Sequence, residues 1–545
     1  MVRFKWMRSD SAARSQEERI FMPAPSTDTE NKTSPEPAPA VVSAGRWRPR
    51  TLRTSPSRQD RGLFGHPRGL PWMLNVEMWE RFSYYGMRAI LLYFITATIE
   101  DGGLGIDDNT GTIIMAVYGA AVFLLAIPGG IFADRVIGPW PSTLYGGVVI
   151  MAGHVCLSVP INAMAWVGIV LVAIGTGFIK PNLSTIVGGL YDSDDPRRDA
   201  GFQLFYMSVN IGSFASPLVT SWLKNHYGYH AGFMAAAVGM ALALVAFVYG
   251  RSKLSAFAFN VPNPLRPEER NRLLVMSGAG IAAVVLVTWV LNIFLHSLPD
   301  AITYMVFAIA LGASVAYFTL MFRSPKVTST ERVHLRAYIA LWVGAVLFFT
   351  IFEQASGKMA VFAQKNTDGT TPFGWVLSPE AYQSVNPAAI IVLAPLVGWF
   401  FARRLGRSIP TVVKFATAVL IVGVSALVTG YGFQLWTGGE NLAPWWFLAL
   451  VFVIQTVGEL FLSPVGLATT TALAPKQFAS QAMVLWLLAI STGQGLAGVV
   501  IANTKEVSDA VYFYGLGAAT IVVALGVFAV APWTQRQMAD INASR

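Results

Sequence analysis

A stripe of charged side chains inside an apolar segment constrains this sequence more than any other feature. Residues 74–98 form an apolar run that is long enough to cross the bilayer's hydrocarbon core of about 30 Å as a helix. Within it, one helical face carries charged or polar groups at the spacings i, i+3, i+4, i+7 and i+11: Glu77, Glu80, Arg81, Tyr84 and Arg88. Because each charge costs about 2.5–3.5 kcal/mol at the membrane centre, this face cannot contact lipid. The stripe predicts a protein interior with ionic partners in other helices.

The rest of the sequence is typical of a polytopic helical membrane protein. Of its 545 residues, 54% are hydrophobic and only 13% are charged, far from the balance of a soluble protein. The single cysteine, Cys156, excludes an internal disulfide. We count fourteen apolar runs, at 74–98, 109–133, 141–160, 163–190, 201–223, 231–250, 272–294, 299–322, 335–362, 379–402, 411–433, 444–474, 478–503 and 510–532.

Loop charges predict the orientation of these spans. The connections after the sixth, eighth and tenth runs are rich in Lys and Arg, whereas the loop after the first run has four acidic residues and no basic one. The positive-inside rule therefore places both termini in the cytoplasm. Residues 1–70 hold thirteen Lys or Arg against seven Asp or Glu, so they supply most of the chain's net charge of +9. This basic balance belongs to a proline-containing arm without apolar periodicity, and we do not expect nucleic-acid binding.

Repeated motifs favour an arrangement of six, two and six spans. Gly129-Gly130-Ile-Phe-Ala-Asp134-Arg135 closes the second run, and a degenerate copy ending in Arg403-Arg404 closes the tenth. Two repeated bundles that bind substrate where they meet are typical of alternating-access transporters. The predicted fold is thus all-α and polytopic, with two six-helix bundles of the major-facilitator type and a two-helix insertion. Its parts are a disordered cytoplasmic arm (1–70), the N-terminal bundle (71–252), a linker with the inserted hairpin (253–333), the C-terminal bundle (334–533) and a cytoplasmic tail (534–545).

Charged residues in three further spans are candidates for chemistry. Lys180 precedes Pro181 deep in an apolar run, and Glu353 and Glu459 interrupt two others. A buried carboxyl can capture or release a proton as a substrate charge approaches or leaves, which makes both acids candidates for a proton relay. A snorkelling lysine and static buried ion pairs are the plain alternatives.

Other polar residues within the spans leave the choice between binding and packing open. Asn210 and Asn386 could contact a substrate or join helices by hydrogen bonds. On spacing alone, Trp486 is a packing residue and His154 a satisfied core histidine.

Signatures of soluble enzyme chemistry are not found in the sequence. It contains no His-Glu-x-x-His, Gly-x-Ser-x-Gly or Walker motif. Gly493-Gln-Gly495-Leu-Ala-Gly498 fits a dinucleotide-binding pattern, but it lies in an apolar span rather than at a strand-turn-helix junction, so it indicates close helix packing. We therefore expect no catalytic residue, no metal site and no cofactor.

Several motifs together resemble one family, the proton-dependent oligopeptide transporters (POT/PTR), in its bacterial branch within the major facilitator superfamily. The motifs are Glu77-x-x-Glu80-Arg81-Phe82-x-Tyr84-Tyr85-Gly86, Lys180-Pro181-Asn182, Phe205-Tyr206-x-x-x-Asn210, Phe352-Glu353-Gln354, Asn386-Pro387 and Gly458-Glu459-Leu-x-x-Ser463-Pro464. They occur in the family's order across residues 71–530. The resemblance implies inward proton symport of di- and tripeptides across the bacterial cytoplasmic membrane, with small peptides, protons and lipid as the partners of a chain that functions as a monomer.

The same resemblance implies roles for individual residues. Proton coupling would involve Glu77, Glu80, Arg81, Arg88, Lys180 and Glu353, with Glu353 paired to Arg88 and Lys180 paired to the glutamates of the first helix. Arg81 and Lys180 would bind the peptide carboxylate, and Glu459 with Asn386 its amino terminus. Tyr84, Tyr85, Asn210, Ser463 and Trp486 would line the pocket, and Asp134 with Arg135 would form a gating loop.

Two departures from the family pattern bear on side-chain preference. Phe123 replaces a tyrosine that many relatives have in the second helix, and Phe349 replaces a tryptophan four residues before the acid at 353. An importer of another small solute, such as nitrate, a glucoside or a peptide-like drug, is the alternative on the same fold. A cationic pair combined with Glu459 favours a zwitterion over a simple anion. A membrane-embedded enzyme and a passive channel fit the distribution of charges less well.

Overall fold

The computed structural model describes Pro49, residues 58–192 and residues 194–537. Among them are fourteen helices of at least 18 residues: α1 (Leu70–Thr96), α2 (Asp108–Phe132), α3 (Pro139–Leu157), α4 (Asn162–Gly188), α5 (Arg198–Tyr227), α6 (Tyr229–Gly250), α7 (Pro267–Leu295), α8 (Leu298–Arg323), α9 (Ser329–Phe352), α10 (Val385–Ala402), α11 (Thr411–Leu435), α12 (Trp445–Leu473), α13 (Ala479–Asn503) and α14 (Asp509–Gln537). The predicted all-α polytopic fold is confirmed.

Eleven of these helical regions are long and apolar enough, within the described residues, to cross a membrane. The other three are α1, α3 and α5. Helix α1 carries the charged stripe, and α5 has a polar face that includes Asn210 and Ser213. Helix α1 packs along α5 and α6, which lie against its charged face.

Local chemistry sets several helix ends. The side chain of Asp107 accepts the Thr110 N–H at 2.9 Å and starts α2. Thr328 and Glu331 form a capping box at the start of α9. Helices α3 and α6 follow Gly138 and Gly228, whose φ angles of 88° and 86° suit glycine and turn the chain sharply between antiparallel neighbours.

Buried side chains form two large apolar clusters. The first contains residues from the helices between α1 and α6 and from the segment after α6. Within it, Trp140 stacks on Phe247 and Phe259. The second joins α8, α9 and α11 to α14. Helix α2 packs on both α4 and α13, and α5 packs on α10, so these helices bring the two clusters side by side. The domain boundaries stay a prediction.

The inserted pair differs from the other helices in its packing. Helix α7, described along its whole length, has no buried residue and packs on α8. Helix α8 in turn contacts α2 and α13 and contributes Phe318 and Met321 to the second cluster. The pair therefore packs on the rest of the protein through α8, and an ion pair joins Glu269 at the start of α7 to Arg135.

The ninth predicted span, 335–362, is not one continuous helix. Helix α9 ends at Phe352, a 3-10 turn covers Glu353–Ser356, and a short helix covers Lys358–Lys365. Ser356 and Gly357 have low helix propensity, and Ser356 can bond to nearby backbone, which favours the interruption. Similarly, a 3-10 turn at Pro379–Ser384 precedes α10, so Asn386 lies in the first turn of that helix rather than in mid-span.

Part of the predicted N-terminal arm is held in place. Residues 1–57, apart from Pro49, and 538–545 lie outside the described residues, so the structure does not test disorder there. Residues 58–69 contact the α4–α5 loop, because the Arg197 guanidinium donates hydrogen bonds to the carbonyls of Asp60 and Gly65 at 2.9 and 2.7 Å.

Candidate functional site

The charged stripe of α1 is partly neutralised within its own helix. Arg81 Nε lies 2.6 Å from Glu80 Oε2 and 3.1 Å from Glu77 Oε1, and all three side chains are buried. Gly212 allows α5 to pack directly on this segment, since a Cβ at 212 would lie 2.2 Å from the Met78 carbonyl oxygen. One guanidinium thus contacts two carboxyl groups between these helices.

Lys180 does not make the predicted ion pair with Glu77 or Glu80. Its ammonium lies 3.3 Å from the ring centroid of Phe123 and 5.6 Å from that of Tyr84, and it is not within ion-pair distance of any carboxylate in the described part of the chain. Arg81 already contacts both glutamates, and an aromatic face attracts a cation through its quadrupole. The prediction was therefore wrong about the partner of Lys180, and Phe123, noted as a departure from the family pattern, is that partner.

Arg88 and Glu353 form the predicted pair between α1 and the turn after α9. Their side chains are only 11% and 13% exposed. Glu353 is the first residue beyond α9, so the interruption of the helix places its carboxylate opposite α1.

Glu459 and Asn386 are also brought together, on α12 and α10. Asn386 Nδ2 donates to Glu459 Oε2 and to Thr456 Oγ1, each at 2.9 Å. With both of its amide protons engaged, the asparagine holds this carboxylate in one orientation.

A cavity of about 180 Å³ connects these two acidic sites. Its wall includes six of the predicted site residues: Tyr85, Arg88, Asn210, Glu353, Asn386 and Glu459. It also includes polar residues that the sequence reasoning did not select: Tyr206, Ser213, Tyr382, Gln383 and Gln455. Helical spacing offers a signal for three of them, because Tyr206 and Ser213 lie four before and three after Asn210, and Gln455 lies four before Glu459.

Other predicted binding residues do not line this cavity: Arg81, Tyr84, Lys180, Ser463 and Trp486. Trp486 is 6% exposed and packs edge to face on Phe349, with ring centroids 5.7 Å apart. Its ring also covers Gly466. In this structure Trp486 fits its packing interpretation. His154 is a fully buried core residue, with Nε2 2.7 Å from Ser83 Oγ.

The predicted gating residues follow α2. Arg135 pairs with Glu269 in the first turn of α7 at 2.6 Å, and the Asp134 carbonyl accepts the Asn263 N–H at 2.9 Å. The loop after α2 is thereby joined to the linker that leads into the inserted pair.

Besides Lys505–Asp300 at 2.6 Å, three ion pairs among the described residues join the helices at the end of the molecule that carries the α1–α2 loop. We call them the outer ion pairs: Lys224–Glu380 at 2.6 Å, Lys358–Asp509 at 2.5 Å and Lys365–Asp108. Ser384 Oγ also donates to the Phe214 carbonyl at 2.8 Å. Because Lys224 and Phe214 belong to α5 while Glu380 and Ser384 precede α10, these contacts connect the two sides of the cavity.

A second polar cluster lies at the opposite end, between residues 58–69 and the α4–α5 loop. Bidentate hydrogen bonds from Arg197 lower the pKa of Asp195 to about 2. His66 contacts the Tyr191 hydroxyl at 2.9 Å. Burial, and then the Arg197 charge, lower the pKa of His66 below its usual value, whereas burial raises the pKa of Tyr191 to about 12. The histidine is therefore neutral in the folded protein near neutral pH.

Comparison with known proteins identifies close relatives of this arrangement. The profile described as PTR2, POT family, matches residues 142–523. An uncharacterized transporter of Bacillus subtilis (strain 168) is 38% identical over 88% of this chain and 97% of its own length. A di-/tripeptide transporter of Lactococcus lactis subsp. cremoris is 35% identical over 89% and 99%. The crystal structure of a peptide transporter POT in complex with sulfate superposes with a TM-score of 0.82 at 40% identity, covering 89% of this chain and 98% of that one.

Proposed function

The chain belongs to the POT family, and on that premise we propose that it is a proton-coupled symporter that imports di- and tripeptides by alternating access. It is a multi-pass membrane protein. In the proposed setting it lies in the bacterial cytoplasmic membrane with both termini in the cytoplasm, works as a monomer and catalyses no covalent chemistry.

The observation that carries this proposal is the charge arrangement of the cavity. One wall presents Glu459 with its asparagine, and another presents the Arg88–Glu353 pair. A free peptide is a zwitterion whose ends are separated, so it needs an acidic site and a basic site that are apart. A single anion such as nitrate would gain nothing from Glu459.

We assign the peptide's amino terminus to Glu459 and Asn386, and its carboxylate to Arg81 and Lys180. Since neither cation lines the cavity in this conformation, the second assignment requires a rearrangement of α1 and α4 during the cycle. The remaining proposed contacts are Tyr84, Tyr85, Asn210, Ser463 and Trp486.

Proton coupling is assigned to Glu353 and to the stripe of α1. When Glu353 takes a proton it loses its charge, and Arg88 loses its counter-ion. Arg88 is then free to attract an anionic group or to release α9 from α1. Glu77, Glu80, Arg81 and Lys180 form the second charged group whose balance changes as substrate binds. Asp134 and Arg135 would gate the opposite end through the linker.

Counterflow in proteoliposomes tests the function directly. Proteoliposomes that contain the full-length protein are loaded with unlabelled di- or tripeptides. Uptake of labelled peptide is then measured with and without an inward proton gradient. We expect exchange without a gradient and accumulation with one. Exchange of nitrate or a glucoside, but of no peptide in the panel, would overturn the proposal.

A further inference from the structure

A buried glutamine in α13 has no role in the function proposed above. Gln494 is 1% exposed, and neither its Nε2 nor its Oε1 has a hydrogen-bond partner among the described residues. It lies against α2 so closely that a Cβ at Gly119 would be 1.6 Å from its Oε1. A buried amide without partners is rare in proteins, and a bound water is an ordinary explanation for one.

The glycines on either side of Gln494 pack closely against other helices. The Gly493-Gln-Gly495-Leu-Ala-Gly498 motif does pack closely, as the sequence indicates. Cβ atoms at Gly493, Gly495 and Gly498 would lie 2.6, 3.1 and 2.9 Å from Val346, Phe307 and Thr303 respectively. Because the glycines pack against other helices, the side chain of Gln494 lies against α2 and does not extend to the membrane surface.

Gln494 lines a small cavity of about 10 Å³ together with Arg88 and Glu353. Roughly 10–15 Å³ is the space that one water molecule requires. Arg88 and Glu353 also line the central cavity, so their ion pair lies between the two cavities. Arg88 Nε is a further buried donor without a hydrogen-bond partner.

We propose that Gln494 binds a water molecule in this small cavity, and that this water delivers the transported proton to Glu353. The amide oxygen accepts one hydrogen bond from the water, while the amide NH2 and Arg88 Nε are the donors that orient it. One O–H bond of the water breaks as Glu353 gains a proton on a carboxylate oxygen, and the water oxygen takes up a proton that enters from the solvent on the side of the outer ion pairs. The water therefore ends the step unchanged.

The surroundings provide a polar connection toward that end. Gln354, which also lines the small cavity, donates a hydrogen bond to the Tyr512 hydroxyl at 3.1 Å. The Lys358 ammonium lies 5.2 Å from the centroid of the Tyr512 ring and pairs with the partly exposed Asp509. Buried polar groups thus extend from the small cavity to the outer ion pairs, on the opposite side of Glu353 from the central cavity.

The inference rests on the proposed function for its transport readout, so the test has two independent arms. In the first, full-length wild type, Gln494→Met, Gln494→Asn and Ser491→Ala are reconstituted and assayed with labelled dialanine. Met keeps the length of the side chain without the amide, and Asn keeps the amide. Ser491→Ala is a matched packing control, because Ser491 joins the same two helices by donating to the Ala120 carbonyl at 2.8 Å but does not line the small cavity.

We expect Gln494→Met to lose proton-driven accumulation by at least about tenfold while exchange stays within about twofold of wild type. Gln494→Asn should recover most of the loss, and Ser491→Ala should retain accumulation. Normal accumulation in Gln494→Met, or an equal loss in Ser491→Ala, would overturn the proposal.

The second arm is a density map of the wild type that resolves ordered waters, compared with one of Gln494→Met. We expect a water peak bonded to Gln494 in the wild type and its loss in the variant. If the wild type exchanges no peptide, the proposed function fails. The presence or absence of the water peak at Gln494 in the wild-type map then tests the water site on its own. If Gln494→Met does not fold, the wild-type map and Gln494→Asn decide it, and a wild-type map without the peak overturns the proposal.

Discussion

The outer ion pair between Lys224 and Glu380 predicts an asymmetric response to mutation. The two atoms lie 2.6 Å apart, but the Glu380 side chain is 0% exposed and the Lys224 side chain is 18% exposed. One Glu380 oxygen has no hydrogen-bond partner among the described residues. The carboxylate therefore depends on the lysine more than the lysine depends on the carboxylate.

The burial of each partner sets the size of the effect. Lys224→Met leaves a bare buried carboxylate, and a broken buried pair costs about 3–5 kcal/mol. Glu380→Gln leaves a lysine that keeps some water and an amide oxygen, so it costs about 1–2 kcal/mol, the range of one hydrogen bond. The double variant Lys224→Met/Glu380→Gln removes both charges and should lie within about 1 kcal/mol of Glu380→Gln alone.

Equilibrium unfolding of detergent-solubilised protein in denaturant, followed by tryptophan fluorescence, measures these free energies. The control is Glu269→Gln, whose pair with Arg135 is 46% and 30% exposed and should cost no more than about 1 kcal/mol to remove. If Lys224→Met costs no more than Glu380→Gln, or if the double variant is as unstable as Lys224→Met, the assigned asymmetry is wrong.

Four further predictions follow from the site. Glu353→Gln, which mimics the protonated acid, should abolish proton-driven accumulation but leave exchange measurable; accumulation at the normal rate would remove Glu353 from the proton path. Glu459→Gln should weaken binding of dipeptides by about 10- to 100-fold, the loss of a charge-assisted hydrogen bond, while N-acetylated dipeptides should change little in the same competition assay. Lys180→Ala should lower the midpoint of thermal unfolding less than Arg81→Ala does, because Arg81 alone contacts the two glutamates of α1; equal losses would contradict this. Because the folded protein lowers the pKa of His66, the unfolded chain binds more protons below about pH 6.5, so stability should fall as pH falls; His66→Gln should lose less stability than wild type between about pH 7.5 and 5.

The spans and their order could be predicted from the sequence because hydropathy and loop charge act locally. An apolar run must form a helix to satisfy its backbone in lipid, and each of the fourteen runs contains a long helix, although the ninth is interrupted after Phe352. The break after Phe352 could not be predicted in this way. The apolar run continues to Phe362. Ser356 and Gly357 favour an interruption, but both are tolerated in many membrane helices, so their presence alone does not show that the helix ends there.

The candidate site was likewise predictable from the sequence only in part. The sequence identified which helices carry charge. The pairing of Arg88 with Glu353 and of Asn386 with Glu459 came from the family resemblance, and both contacts are present in the structure. The expectation that Lys180 pairs with the glutamates of α1 was wrong because Arg81 contacts both of them, and this choice depends on side-chain reach and helix separation within a few ångströms. Neutral polar residues such as Gln455 were missed because an amide in a helix can be satisfied in many ways and gives no sign of facing a cavity.

Helix α7 makes a large part of this chain tolerant of sequence change. None of its 29 residues is buried. The effect of a substitution in its apolar part therefore depends on how well the new side chain suits lipid, rather than on packing against neighbouring side chains. In a deep mutational scan, tolerance should then follow hydropathy along α7 beyond its charged first turns, with leucine, isoleucine, valine and phenylalanine interchangeable; Glu269, which pairs with Arg135, is the exception. Along α13, residues such as Leu488, Ala489 and Ser491 are fully buried. There the same scan should show that tolerance depends on the size and shape of the side chain. That contrast makes α7 the natural place to fuse a rigid marker for imaging without disturbing the transport core.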